Sequence, residues 1–163
     1  MTGTPSPAPL ESASKERLRL WLRLLKASRA IETKLRENFK ADFETTLPRF
    51  DVLAALSRYE EGLKMSQISG VLRVSNGNVT GIVDRLADEG LLVRVPVPGD
   101  RRASLVRLTQ RGKEEFACQA EAHEGWISEM LTGFDARTAR DFADDLQSLE
   151  RSFSKAEEGE ADV

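Results

Sequence analysis

The stretch from Asp100 to Gly112, DRRASLVRLTQRG, limits what this chain can fold into more than any other part of it. Two arginines stand beside a Gly-Asp turn, and the alternating run SLVRL that follows reads as a half-buried strand. Upstream, Leu91 to Val97 (LLVRVPV) is a second short β run, and Pro98, Gly99, Asp100, Arg101 and Arg102 form the tip between the two. Thr109 then opens a helical pattern with Gly112 in its first turn. Because this hairpin follows two short helical patterns, the order is that of a winged helix-turn-helix: a mainly α chain with a small β-hairpin wing.

The rest of the chain reads as helices around that unit. Ser14 is placed to cap a long first helix, along which Leu18, Trp21, Leu22 and Leu25 form one apolar stripe and Leu20, Leu24, Ala27 and Ile31 a neighbouring one. A helix apolar on two sides needs two covers, its own domain and a second copy of the chain. Thr45-Thr46-Leu47-Pro48 ends it, with Pro48 suited to the first turn of a second helix. Met65 to Leu72 is a short third helix. The fourth, from about Asn76 to Glu89, turns Val79, Ile82, Val83 and Leu86 inward and ends at Gly90. After the wing come a long helix from Thr109 and, beyond Gly133, a last one starting at Asp135.

Length supports one domain, residues 14–153, with disordered tails at 1–13 and 154–163, the latter acidic. Within it, about 14–44 and 113–153 are dimerisation helices, and about 48–112 is the winged helix-turn-helix. No apolar run approaches a membrane span, and the Pro/Ser/Thr-rich start lacks a secretory core, so a cytoplasmic protein without membrane contact is expected. A single cysteine excludes an internal disulfide framework. Cys118 has no cationic neighbour in sequence and reads as inert packing. His123, the only histidine, excludes histidine-cluster metal sites and histidine-based triads, and reads as solvated. No phosphate-binding glycine loop, paired cysteine ligands or nucleophile elbow is present, so neither a catalytic residue nor a cofactor is assigned.

Charge divides the chain by function. The overall net charge is −3, yet between Gly62 and Gly112 eight Lys/Arg face four Asp/Glu, whereas residues 113–163 carry five basic and fourteen acidic groups. The basic block coincides with the winged helix, as phosphate binding requires. The fourth helix begins with small polar residues, Ser75, Asn76, Gly77, Asn78 and Thr80, whose short amides and hydroxyls reach base edges when a helix enters the major groove end-on. Gly77 and Gly81 weaken that helix by roughly 1 kcal/mol each relative to Ala, and close backbone approach to DNA is a reason to keep them. Arg101 and Arg102 are wing contacts to phosphate and minor groove, with Asp100 bracing the tip. Arg94, Arg107, Lys64 and Arg73 are weaker phosphate candidates. Surface charge alone accounts for them equally well.

The string D-R-R-x5-L-T-x2-G resembles the wing of MarR-family transcriptional regulators, and SNGNVTGIVDRLADEGLLVR is similar to the family's fourth helix. The resemblance spans roughly residues 15 to 153. It implies a homodimer whose first and last helices interlock, two winged helices on double-stranded DNA bearing an inverted repeat, and a small aromatic or anionic ligand between dimerisation layer and DNA-binding lobe. In the family pattern the minor-groove role falls on Arg102. The segments LRLWLRLLKASRAIE and TTLPRFDVLAAL resemble a subgroup that regulates aromatic-acid degradation, some of whose members respond to an aromatic acyl-CoA such as a hydroxycinnamoyl-CoA. That implies a repressor released by such an effector, with Trp21, Leu25, Phe50 and Met65 lining an aromatic slot, Lys26 and Arg29 near the CoA phosphates, and Arg49 facing a carboxylate or phenol. For the four apolar residues ordinary core packing is the competing reading, for Lys26 and Arg29 pairing with the acidic C-terminal third, and for Arg49 solvation. The residues alone also leave open a winged-helix or architectural DNA-binding protein without an effector, and a helical protein-interaction module.

Overall fold

A computed structural model of the chain describes residues 12–72 and 76–160, without side chains at 76, 77 and 155–160. Its elements are α1 (Ala13–Phe43), α2 (Leu47–Ser57), α3 (Met65–Leu72), α4 (Asn76–Asp88), β1 (Leu92–Val97), β2 (Asp100–Leu108), α5 (Gln110–Met130) and α6 (Ala136–Glu160). They fall into two compact units, one ending at Glu124 and one beginning at Gly125. The mainly helical architecture with a hairpin wing, expected from the sequence, is what is observed.

The first unit is built on a core from α2, α3, α4 and the hairpin. Val52, Ile68, Val79, Val83, Leu86 and Val106 are fully buried. On α4 the buried positions 79, 83 and 86 recur at helical spacing, and burying each such side chain stabilises by about 1.5–3 kcal/mol. The strands pair antiparallel from Leu92↔Leu108 to Val97↔Asp100, with a register shift between Pro96 and Val97. Leu63 bridges Val106 through two backbone hydrogen bonds of 2.9 and 2.8 Å, which fixes the base of the hairpin to the end of the α2–α3 connection.

The entry to α2 follows the sequence reading: Thr46 is its N-cap, accepting from the Arg49 amide, and Pro48 stands in its first turn. The start of α1 does not. The helix begins at Ala13 with Ser12 at the N-cap and no side-chain cap, so Ser14, already inside the first turn, is not the capping residue. α1 then runs unbroken for 31 residues, and its Phe39 is fully buried.

The start of α5 is fixed by three contacts. The Thr109 hydroxyl accepts from the Gly112 amide at 3.0 Å and donates to the Gly90 carbonyl at 2.7 Å. A Cβ on Gly112 would stand 2.0 Å from the Leu91 carbonyl oxygen, so only glycine fits. Further along, the inward stripe of α5 is Gly112, Phe116, Gln119 and His123. This corrects the expectation of a solvated histidine: the imidazole packs on Phe50 with ring centres 4.9 Å apart and stacks on Phe39 at 6.1 Å. The reason is its seven-residue spacing from Phe116, which puts both on one helix face. Cys118, off that stripe, is exposed rather than packed.

In the second unit, Asp135 caps α6 by accepting from the Thr138 amide at 2.8 Å, which holds its carboxyl below the usual range. α6 presents Phe142, Leu149 and Phe153 to the surface. Its backbone stays helical to Glu160, past the expected end at Phe153, because Lys, Ala and Glu in that stretch are good helix formers.

Gly112→Ala should lower the stability of the protein by about 3 kcal/mol, since the backbone of Leu91 cannot yield as a side chain would. Gly70→Ala, where an added Cβ meets nothing within 4 Å, should instead leave it equal or slightly raised. Urea denaturation of both variants at one fixed concentration checks this. The His123 stack carries a pH signature. Burial lowers its pKa below 6.5, so on acidification the unfolded chain takes up a proton before the folded one and stability falls as pH drops through 6.5. His123→Phe should lose less of its urea midpoint than the parent between about pH 7.5 and about pH 5.5; identical profiles would place the ring in solvent.

Candidate nucleic-acid interface

With Val79, Val83 and Leu86 buried, α4 presents Asn78, Thr80, Gly81 and Arg85 outward. Asn78 and Thr80, both expected to read bases, therefore lie on the exposed side of the helix. Arg73 and Ser75 lie outside the described residues, as do the side chains of Asn76 and Gly77. Gly81 has open space where a Cβ would stand, so no contact within the chain explains a glycine there.

Pro98 and Gly99 occupy the two turn positions between Val97 and Asp100, and Gly99 has φ of +83°. Proline followed by a positive-φ glycine is the requirement of a type II turn. Asp100 braces the tip as expected, though through the backbone: its carboxylate accepts from the Arg102 amide at 3.0 Å. The Arg101 and Arg102 side chains are exposed, and neither guanidinium has a partner among the described residues. Two cations without a partner among the described residues thus project from a tip braced by the Asp100 carboxylate.

Arg94 does not join them. Its guanidinium is 2.5 Å from the Asp84 carboxylate, so it ties β1 to α4 instead of standing free for phosphate. No neighbouring residue signals this pair, because the partner lies on another element. The pair is partly exposed, and its value is in holding the wing at one angle to the helix more than in stability.

The opposite end of α4 is held by a second ion pair. Arg49, at the start of α2, pairs with Glu89 and donates from Nε to the Thr45 hydroxyl at 3.1 Å. Its side chain is only 19 % exposed, so it is neither solvated nor free to face a ligand unaided. Arg111 closes the arrangement, donating to the Glu89 carbonyl at 3.0 Å. A recess of about 400 Å³ opens here between the ends of α1 and α4 and the starts of α2 and α5, with Gln119 in its lining. Neither Glu89 nor Gln119 was singled out from sequence. Gln119 had a findable signal, its place midway between Phe116 and His123, whereas nothing in sequence links residues 49 and 89.

The expected aromatic slot is not formed within one chain. Phe50 is buried against Phe39, 4.7 Å between ring centres, and Met65 packs on the core of the first unit. Trp21 is 56 % exposed on α1. It lies eighteen residues before Phe39, roughly 27 Å along a helix rising 1.5 Å per residue. Leu25 is half-buried, and Lys26 and Arg29 are exposed beside it. On α2, burial and the nearby Glu32 raise the Asp51 pKa, opposed by Arg36.

Comparison with known proteins places these features. The sequence profile of the MarR family matches residues 44–103, which cover α2 through the wing tip. The transcriptional regulator MhqR of Bacillus subtilis is 30 % identical over 121 residues, 73 % of this chain and 81 % of MhqR. Other curated relatives match over between 43 % and 82 % of this chain, and the chain spans less than half the length of one of them, the regulator PecS of Dickeya dadantii. A MarR-family regulator of Silicibacter pomeroyi has a similar structure, with 28 % identity and a TM-score of 0.71 over 88 % of this chain and 99 % of that one. CouR of Rhodococcus jostii, in its complex with p-coumaroyl-CoA, shares the fold at 19 % identity, with a TM-score of 0.70 over 80 % of this chain and 90 % of CouR.

Gly81→Ala should raise the thermal midpoint, as an open helix position gains about 1 kcal/mol, while weakening binding to specific DNA. Unchanged DNA affinity would mean that the methyl meets nothing in the complex. Arg102→Ala should weaken binding to all duplexes and reduce the slope of log K against log salt by about 1, with the fold intact by circular dichroism.

Proposed function

This chain belongs to the MarR family of DNA-binding transcriptional regulators, and from this we propose that it is a homodimeric repressor that binds an inverted repeat and is released by an aromatic effector. Regulators of this family bind DNA, are dimeric, and are not enzymes. The observation that carries the reading is the pairing of two surfaces: the exposed Asn78–Thr80 edge of α4, and the unpaired Arg101 and Arg102 at the wing tip. A wing that reaches the minor groove while α4 enters the major groove uses both. The half-sites would be separated by about one helical turn.

Support for the dimer comes from α1, whose Leu18, Leu20, Trp21 and Leu22 are each more than half exposed. Apolar side chains of this size in one run mark an association surface. No helix among the described residues is long and apolar enough to cross a membrane. A cytoplasmic site of action follows from the DNA-binding role.

For the effector we take an aromatic acyl-CoA such as a hydroxycinnamoyl-CoA, with control of aromatic-acid catabolism as the biological role. Two facts support it. CouR, which has this fold, is bound to p-coumaroyl-CoA. On α1, Trp21, Leu25 and Arg29 recur every four residues, so an aromatic surface and a cation share one face with Lys26 beside them. The acyl group would lie on Trp21 and Leu25, and the phosphates near Lys26 and Arg29. Phe50 and Met65 have no part in this version of the site.

Light scattering should give twice the 18.1 kDa chain mass, and a monomer with intact helices would overturn the dimer. p-Coumaroyl-CoA should weaken operator binding about 5–150-fold, the usual range of allosteric coupling. CoA alone should fail, and Lys26→Glu with Arg29→Glu should abolish the response while DNA binding persists. A thioester without effect on the operator complex would remove the acyl-CoA reading and leave the winged-helix regulator.

A further inference from the structure

A groove of about 420 Å³ runs beside the N-terminal part of α4. Its walls are Arg36 of α1, Pro48 and Asp51 of α2, Leu72 of α3, and Asn78 and Ile82 of α4. Among the described residues that line it, Asp51 alone is acidic. Asp51 is half-buried, and its carboxylate has no hydrogen bond or ion pair within the described residues. Carboxylates removed from water are ordinarily paired or hydrogen-bonded, so this one needs an explanation.

The groups around it do not supply one. Arg36, the cation of the groove, is engaged by Glu32 one turn earlier on α1, at 3.4 Å. Two carboxylates thus share one guanidinium. Lys40, a further turn along α1, lines an adjoining cavity with Pro48 and Ile82. From α3 and α4 the groove receives no titratable group among the described residues, only Leu72, Asn78, Val79 and Ile82. Burial first, and then Glu32, raise the Asp51 pKa above its ordinary 3.8, against the pull of Arg36. The charged form is therefore the less stable one in the folded protein, and at neutral pH Asp51 costs stability. What sets Asp51 apart is its neighbour Asn78, on the edge of α4 proposed to read bases. Phosphates brought to that edge meet a negative charge that burial leaves poorly screened.

We propose that DNA binding by this chain is coupled to proton uptake at Asp51, whose carboxylate opposes the approach of α4 to DNA and whose neutral acid does not. This rests on the DNA-binding reading above. The sign follows from linkage. Phosphate favours the neutral acid, so the DNA-bound protein holds more protons than the free protein, and affinity rises as pH falls. Asp51 thereby makes the strength of DNA binding depend on acidity, in the opposite sense to the loss of stability that protonation of His123 brings.

The test uses the full-length protein and a duplex obtained by selection from random sequence. Calorimetry at about pH 5.5, in two buffers of different ionisation enthalpy, counts the protons taken up on binding. The parent should take up more than Asp51→Asn, which has the shape of the neutral acid. At about pH 7.5 Asp51→Asn should bind roughly three- to tenfold more tightly than the parent, an advantage that shrinks as salt is raised. Glu32→Gln, lacking the like charge that opposes ionisation, should move the parent's affinity profile to lower pH without abolishing it. In urea at about pH 7.5, Asp51→Asn should be at least as stable as the parent. Equal proton uptake by the two proteins, or weaker DNA binding by Asp51→Asn with helical content intact, would overturn the proposal. So would a less stable Asp51→Asn, since the carboxylate would then have a structural partner. A parent that binds no duplex at any pH would instead remove the DNA-binding reading, and this coupling with it.

Discussion

The Leu91 carbonyl is where the structure is most constrained. It accepts from the Thr109 amide at 3.0 Å, and it lies where the Cβ of residue 112 would otherwise be. Leu91 also donates its own amide to Leu86 near the end of α4 at 2.9 Å. One residue therefore links the end of α4, the root of β1, the root of β2 and the first turn of α5. The hairpin's direction relative to α4 follows from that link, and so does the reach of the wing tip. Other contacts, such as Arg94 with Asp84, refine an angle that this junction has already set.

The junction also explains the motif that stood out in the sequence. In D-R-R-x5-L-T-x2-G, Asp100 holds the Arg102 amide, Leu108 is buried, Thr109 caps α5 and Gly112 admits the Leu91 carbonyl. Each of these four has a structural task. Arg101 and Arg102 have none within the chain, as their side chains are exposed and unpaired among the described residues. Two charged side chains held in place by a motif that otherwise serves folding are accounted for by a partner outside the chain, and a polyanion suits them.

What was legible in the sequence was local. The limits of α3 and α4, the proline start of α2, the Asp135 cap and the hairpin are each written in neighbouring residues, and each was readable. Contacts between distant elements were not. Arg94 looked like a phosphate ligand because nothing within a few residues marks Asp84 as its partner, and Arg49 looked free because Glu89 is forty residues away. α5 misled for another reason. Its inward stripe includes Gln119 and His123, so a search for apolar periodicity passes over half of the buried face. Trp21 and Phe50 do not meet within one chain for a reason of length: α1 runs for 31 residues, and Trp21 lies near one end while Phe39, which packs on Phe50, lies near the other.

That division along α1 bears on how α4 is held. Its C-terminal end carries Phe39 into the core of the first unit, against Phe50 at the start of α2, one residue from Arg49. Its N-terminal half is apolar and exposed, a surface suited to a second copy of the chain. The same helix therefore joins an exposed apolar surface to the Phe39–Phe50 contact, which lies one residue from the Arg49 pair with Glu89. α4 is thus anchored at Asp84 to the wing and at Glu89 to α2, and among the described residues the second anchor adjoins a recess whose lining includes the unmatched buried oxygen of Gln119.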